Sequence, residues 1–116
     1  RYVKKRLPEN EILLRTEKGV RRVSSDTISY CEAMGKRTLV HIFGGQCVEC
    51  ELRIGELKKT LTYEFVFCHR SYIVNLRFVK SIGKAELTLD SGKTVPVSRR
   101  LYNELIEKFI EFYTER

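Results

Sequence analysis

The sequence lacks the features that define several large classes of protein. It contains no run of about 18 apolar residues, the length that a membrane-spanning helix requires, and no charged segment followed by an apolar leader with a cleavage site. It also contains no internal repeat and no low-complexity segment. These absences predict a cytoplasmic protein that has no membrane partner. The 116 residues, 42% of them apolar, suffice for one domain with a single core.

Residues suited to catalysis or metal binding are also scarce. There are two histidines, no carboxylates clustered at the spacing of a general base or a metal site, and no glycine-rich phosphate loop. Cys47 and Cys50 form one C-x-x-C motif, but no second motif or finger-like histidine spacing accompanies it. Residues three apart in a strand face opposite sides of a sheet, so buried thiols are favoured over a dithiol or zinc site. We therefore predict no catalytic residue, no metal and no cofactor.

The net charge of +7 is unevenly distributed along the chain. Residues 1–25 contain eight Lys and Arg against three acidic residues, and residues 66–100 contain seven against two. Two basic blocks of this kind indicate a polyanionic partner, because each neutralised phosphate releases counterions and thereby adds affinity. Charge for solubility, together with a basic linker, explains the composition equally well.

Short apolar runs separated by turn signals predict a mainly β domain with two short peripheral helices. We expect residues 1–10 to be a basic linker and residues 11–116 to form the domain. Residues 33–37 are predicted to be a loop that exposes Lys36 and Arg37, which can reach a phosphate or a base edge or can form a solvated turn. The helices are expected at 54–61 and from Arg99 onward. The strands are expected at 11–16, 20–23, 27–32, 38–43, 47–52, 65–68, 77–82, 85–89 and 93–97.

Residues 65–76 hold the densest group of polar donors in the chain. Apolar residues interrupt this group, and we expect the pair Ile73 and Val74 to be buried and to fix the preceding loop. Side chains of this kind donate to phosphates or base edges, so the segment is the centre of the predicted site. The donors are His69, Arg70, Ser71, Tyr72 and Asn75.

A second polar segment, residues 96–100, precedes the last predicted helix. Ser98 suits an N-cap because its hydroxyl can accept a backbone N–H of the first turn. Arg99 and Arg100 are unfavourable in that turn, since the helix macrodipole there favours anions. Their placement indicates an external anion, to which the free N–H groups would also donate.

In their order and spacing these segments resemble the LytTR family of DNA-binding domains, found at the C-terminal end of many bacterial response regulators. The resemblance rests on residues 65–76, 79–82, 87–92 and 95–100, and it covers nearly the whole domain. It implies an elongated arrangement of small antiparallel sheets whose loops enter neighbouring major grooves. The implied function is sequence-specific binding of double-stranded DNA, as the output domain of a two-component transcriptional regulator. An upstream receiver or sensor domain, and a possible dimer on repeated half-sites, are also implied.

The resemblance assigns each contact to a residue of this chain. Some members have His at the tip of the first loop and Asn after the central His, where Arg37 and Arg70 align here. Because Arg reads guanine and Asn prefers adenine, the target sequence should differ. Asn75 belongs to the candidate set, although a bond to the loop backbone is its favoured role. Base edges are assigned to Arg37, Arg70 and Arg100, and phosphates to Lys36, His69, Ser71, Ser98 and Arg99.

Two other functional classes are weighed against DNA binding. RNA-binding β modules stack bases on exposed aromatic rings, whereas Phe65, Phe67, Phe78 and Phe109 fall on faces predicted to be buried. Cys68 has no convincing partners as a nucleophile. Its position beside His69 and Arg70 nevertheless suggests a depressed thiol pKa, and so a redox modulator of DNA binding.

Overall fold

The computed structural model describes residues 7–114, which form ten strands and two α-helices. No helix among these residues is long and apolar enough to cross a membrane. The helices are α1 (Ile54–Lys58) and α2 (Tyr102–Thr114). The strands are β1 (Glu11–Thr16), β2 (Gly19–Ser24), β3 (Ile28–Met34), β4 (Arg37–Ile42), β5 (Gln46–Cys50), β6 (Phe65–His69), β7 (Tyr72–Asn75), β8 (Val79–Ile82), β9 (Glu86–Leu89) and β10 (Thr94–Pro96).

The strands form three antiparallel sheets. A central sheet has the order β5-β4-β3-β7-β6, a three-stranded sheet has the order β10-β9-β8, and β1 pairs with β2 alone. The molecule measures 54 × 36 × 25 Å along its principal axes, so the arrangement is elongated, as predicted. The fold is therefore mainly β with two peripheral helices.

The central sheet separates two apolar clusters, which replace the single core expected from composition. Side chains alternate along each strand, so Tyr30 of β3 lies in one cluster and its neighbour Cys31 lies in the other. The first cluster also includes residues of the three-stranded sheet and Leu105 of α2. The second includes Leu14 of β1 and Leu57 of α1. Two clusters form because the central strands are apolar on both faces and are covered on both.

Hairpin pairing extends several elements beyond their predicted bounds. Residues 33–37 are not a loop, because Met34 pairs with Arg37 and only Gly35 and Lys36 form the turn between β3 and β4. The polar segment after β6 is likewise a tight hairpin, in which His69 pairs with Tyr72. Cross-strand hydrogen bonds extend each pair of strands up to the turn residues. Strand propensity alone did not predict these longer strands.

The observed bounds of both helices also differ from the predicted ones. Ser25 N–H donates to the Asn10 carbonyl at 2.7 Å, at the boundary between the predicted linker and the predicted domain. Residues 1–6 of that linker, and residues 115–116, lie outside the described residues. α1 ends at Lys58, and α2 begins at Tyr102 rather than at Arg99.

Candidate nucleic-acid interface

The hairpin between β6 and β7 presents Arg70 at the tip of a well-supported turn. Arg70 is exposed, whereas Ile73 and Val74 behind it are fully buried, as predicted. His69 Nδ1 accepts the Ser71 N–H at 3.0 Å, which leaves Nε2 as the donor of the neutral ring. The His69 ring also meets Tyr72 edge to face, with centroids 5.6 Å apart. The turn is therefore supported by a local hydrogen bond, an aromatic contact and the buried residues behind it.

Two backbone hydrogen bonds join this turn to the other predicted contact segments. Ala33 N–H, at the end of β3, donates to the Ser71 carbonyl at 2.8 Å. Ser98 N–H donates to the Cys68 carbonyl, also at 2.8 Å. The three turns consequently lie at one end of the central sheet, which we call the three-turn edge. Its members are Lys36, Arg37, His69, Arg70, Ser71, Ser98, Arg99 and Arg100.

Strand order sets the spacing within the three-turn edge. The hairpins β3–β4 and β6–β7 are neighbours in the central sheet, so their centres lie two strand spacings apart, or about 10 Å. The major groove of B-DNA is about 12 Å wide. The two turns therefore match the scale of one groove.

Most cations of the three-turn edge are exposed. Within the part of the chain that the structure describes, Lys36, Arg70, Arg99 and Arg100 are exposed and form no ion pair. Arg37 differs, because its Nη1 lies 3.2 Å from Glu49 Oε2 on β5. Such exposed pairs are worth about 0–1 kcal/mol, so Glu49 weakly restrains Arg37 and leaves its other N–H groups available.

The segment 98–100 forms a turn that precedes α2. Ser98 Oγ accepts the Leu101 N–H at 3.2 Å, as expected of a capping hydroxyl, but the helix begins only at Tyr102. Arg99 and Arg100 thus lie before the helix and not in its first turn. The unfavourable interaction with the helix macrodipole that the sequence indicated does not apply to Arg99 and Arg100. Their exposure is the remaining reason to consider them as DNA contacts.

Asn75 must be removed from the candidate contacts. It is fully buried, its Nδ2 donates to the Ile28 carbonyl at 2.9 Å, and its Oδ1 accepts the Arg77 N–H at 3.0 Å. Both ends of the amide are occupied by backbone, and no surface is left for a nucleic acid. Asn75 has the structural role favoured from the sequence, in which it caps the short 3-10 turn at residues 76–78.

The environment of Cys68 does not activate its thiol in the way that the proposed redox role requires. Burial raises the pKa of Cys68 to about 12, so the expected depressed pKa is wrong. Burial likewise raises the pKa of Cys31 to about 12. Cys47 is exposed while Cys50 is buried, in agreement with their predicted placement on opposite faces of a strand, but Cys47 is not a core thiol. Within residues 7–114, no three His, Cys, Asp or Glu side chains are grouped as metal ligands would be.

The aromatic rings named from the sequence are not exposed. Phe65 is fully buried, and Phe67, Phe78 and Phe109 are half-buried. The exposure of Phe43 was not predicted: this side chain is 66% exposed and stacks on Phe78 with centroids 5.8 Å apart. Phe43 follows β4 and therefore lies at the end of the central sheet opposite the three-turn edge.

Two exposed residues near the three-turn edge were missed. Lys84 lies in the β8–β9 turn, which the bond from Val97 N–H to the Ala85 carbonyl, 2.9 Å long, brings beside Ser98. Met34 ends β3 and is 49% exposed. Neither position is recognisable without the strand register.

A family model for the LytTr DNA-binding domain matches residues 18–110 of this chain. The chain belongs to the LytTR family. The structure resembles the LytTr DNA-binding domain of a Bacillus cereus protein described as a methyl-accepting/DNA response regulator, with a TM-score of 0.70 and 28% identity. That match covers 89% of this chain and 98% of the other. The mainly β LytTR fold predicted from the sequence, and DNA binding as its function, are confirmed.

Two curated relatives share part of this LytTR domain. Transcriptional regulatory protein BtsR of Escherichia coli strain K12 is 51% identical over 45 residues, which is 34% of this chain and 19% of BtsR. An uncharacterized response regulatory protein of Vibrio cholerae serotype O1 is 45% identical over 53 residues, which is 41% of this chain and 22% of the relative. The chain thus matches about a fifth of the length of these relatives.

Proposed function

We propose that this LytTR domain reads double-stranded DNA through the three-turn edge. The assignment of the contacts rests on one observation. Backbone hydrogen bonds connect the three cation-bearing turns at one end of the central sheet. Exposed cations at that end supply affinity for phosphates, and their fixed spacing supplies register along the groove.

In this proposal the arginines contact bases and the smaller polar groups contact the backbone. Arg70 and Arg100 are exposed and can each place two N–H donors against guanine O6 and N7. Arg37 does the same with the N–H groups that Glu49 leaves available. The phosphate contacts are Lys36, His69, Ser71, Ser98 and Arg99, to which we add Lys84.

His69 and Ser98 keep a donor for a phosphate although each already forms an internal bond. His69 uses Nδ1 as an acceptor, so Nε2–H is free to donate outward. Ser98 Oγ accepts from Leu101, and its own proton remains available. Internal bonds of this kind orient the donors before DNA arrives and reduce the entropy lost on binding.

We further propose that the domain acts in the cytoplasm as the output domain of a response regulator, downstream of a receiver or sensor domain. The relatives named as transcriptional and response regulatory proteins support this arrangement. Residues 1–10 contain four Lys and Arg side chains, all within the first six positions, and we assign this basic segment to the connection. A dimer would then place two three-turn edges on repeated half-sites.

Selection of bound duplexes from a random library, at a stated salt concentration, tests the proposed function. Enrichment of one motif, with single-stranded RNA failing to compete for the selected duplex, is the expected result. Recovery of unselected sequence, or equal competition by RNA, would contradict sequence-specific reading of duplex DNA.

A further inference from the structure

One exposed apolar side chain lies among the cations of the three-turn edge. Met34 is the last residue of β3, is 49% exposed, and pairs with Arg37 across the hairpin. The residue before it, Ala33, donates its N–H to the Ser71 carbonyl, so Met34 reaches the level of the Arg70 turn. Met34 therefore lies between two arginines that are assigned to base edges.

Strand alternation places Met34 on the same face of the sheet as other members of the edge. Glu32 pairs with Tyr72, and Met34, two residues further along β3, shares the face of Glu32. His69 pairs with Tyr72 across its own hairpin and contacts the Tyr72 ring, so it belongs to this face as well. Met34 is thus directed to the side on which the proposed DNA contacts lie.

We infer that Met34 contacts the C5-methyl group of a thymine next to a base pair read by Arg37 or Arg70. The thymine methyl is the apolar feature of the major groove, and it is read by apolar side chains. A flexible thioether suits this contact because it adapts to an irregular surface. Neighbouring strands lie about 4.8 Å apart, and base pairs rise by 3.4 Å, so the thymine should lie within about two base pairs of that guanine.

Because this role rests on the proposed DNA reading, its test starts from the selected duplex and the whole 116-residue chain. Each thymine is replaced singly by uracil, which removes the methyl group and keeps every hydrogen-bonding atom. Binding is then measured for the wild type and for Met34→Gln, Met34→Leu and Leu13→Gln. Leu13 is a matched control, since it is 54% exposed but lies in the separate β1–β2 sheet.

We expect one uracil substitution to weaken wild-type binding about fourfold, the value of one buried methyl group. Met34→Gln should bind the thymine and uracil duplexes equally, whereas Met34→Leu and Leu13→Gln should keep the preference. The thymine should lie within about two base pairs of a position at which Arg70→Ala or Arg37→Ala loses discrimination.

The possible failures are distinguishable. If no duplex is selected at all, the proposed reading of DNA is wrong. If duplexes bind well but no thymine shows a methyl effect, or if Met34→Gln retains that effect, the role of Met34 is overturned while DNA binding stands. Thermal melting of each variant checks folding, and equal melting is expected because Met34 and Leu13 are both exposed.

Discussion

The two ends of the central sheet carry different side chains, although short turns close both. The three-turn edge exposes Lys36, Arg70 and Arg99. At the opposite end, the β4–β5 turn consists of Phe43, Gly44 and Gly45, and Phe43 stacks on Phe78. The opposite end also includes Arg77 and residues 90–93, since Asp90 N–H donates to the Phe78 carbonyl. Comparison of the ends shows that short hairpin turns can carry either a cationic or an apolar surface.

The difference provides matched controls within one chain. Arg77 and Lys93 are exposed cations at the opposite end, and they share residue type and exposure with Arg70 and Lys36. A contribution from charge alone would be similar at both ends. A contribution from position should appear at the three-turn edge and not at the other.

The largest expected difference concerns the thiols at the two ends. Cys47 is exposed and lines a cavity with Phe43 and Gly44, whereas Cys68 is buried next to the Arg70 turn. A pKa raised from 9.0 to about 12 keeps Cys68 protonated at pH 8 and lowers its thiolate fraction about a thousandfold. Iodoacetamide at pH 8 should therefore alkylate Cys47 and spare Cys68, as peptide mass spectrometry can measure. Rapid alkylation of Cys68 in the folded protein would show that the turn opens readily.

Asn75 should stabilise the opposite end without contributing to DNA binding. Asn75→Ala leaves the buried Ile28 carbonyl without its donor, which costs roughly 1–3 kcal/mol, and it also removes the acceptor of the Arg77 N–H. Urea denaturation should show this loss in the free energy of unfolding. The folded fraction should keep wild-type affinity for the selected duplex. A loss of affinity in fully folded Asn75→Ala protein would indicate that Asn75 contributes to DNA binding.

Substitution of Arg70 and of Arg77 compares the contributions of the two ends to base recognition. Arg70→Ala should cost roughly 1–3 kcal/mol of binding free energy and relax discrimination at one base pair. Arg77→Ala should leave both quantities unchanged, because that side chain lies at the opposite end. Fluorescence anisotropy with duplexes substituted at each position measures both. Equal losses in the two variants would indicate that charge, and not position, governs binding.

Lys36 and Lys93 make the same comparison for phosphate contacts, with a smaller effect. Lys36→Ala should weaken binding to all duplexes alike and reduce the slope of log K against log salt by roughly 0.9, the value for one phosphate. Lys93→Ala should preserve the slope. The measurement is a salt titration with selected and unselected duplexes. An unchanged slope for Lys36→Ala would show that Lys36 contacts solvent and not a phosphate.

Periodicity and turn chemistry predicted the fold class and most of the strands. The strand predicted at 85–89 is present as β9, where Leu87 and Leu89 are buried on one face, and Leu105 of the last helix packs in the same cluster. The resemblance to the LytTR family supplied the grouping of the three turns. The residues themselves are far apart in sequence, and composition could not have brought them together.

The remaining details depended on contacts between distant residues. Glu49 is paired with Arg37 only because β5 follows β4 in register, and Lys84 approaches Ser98 only because β9 pairs with β10. Cys68 directly precedes His69 and Arg70 in the sequence, yet burial outweighs these two neighbours in setting the pKa of its thiol. Local sequence therefore indicated which residues are polar, whereas tertiary structure determined which of them are available.

The bonds from Ala33 N–H and Ser98 N–H to the neighbouring turns use backbone atoms alone. Side chains at Lys36, Arg70 and Arg100 can consequently be exchanged without disturbing the frame that spaces them. A designer who wishes to redirect the domain to a new operator can thus vary the reading residues independently of the scaffold.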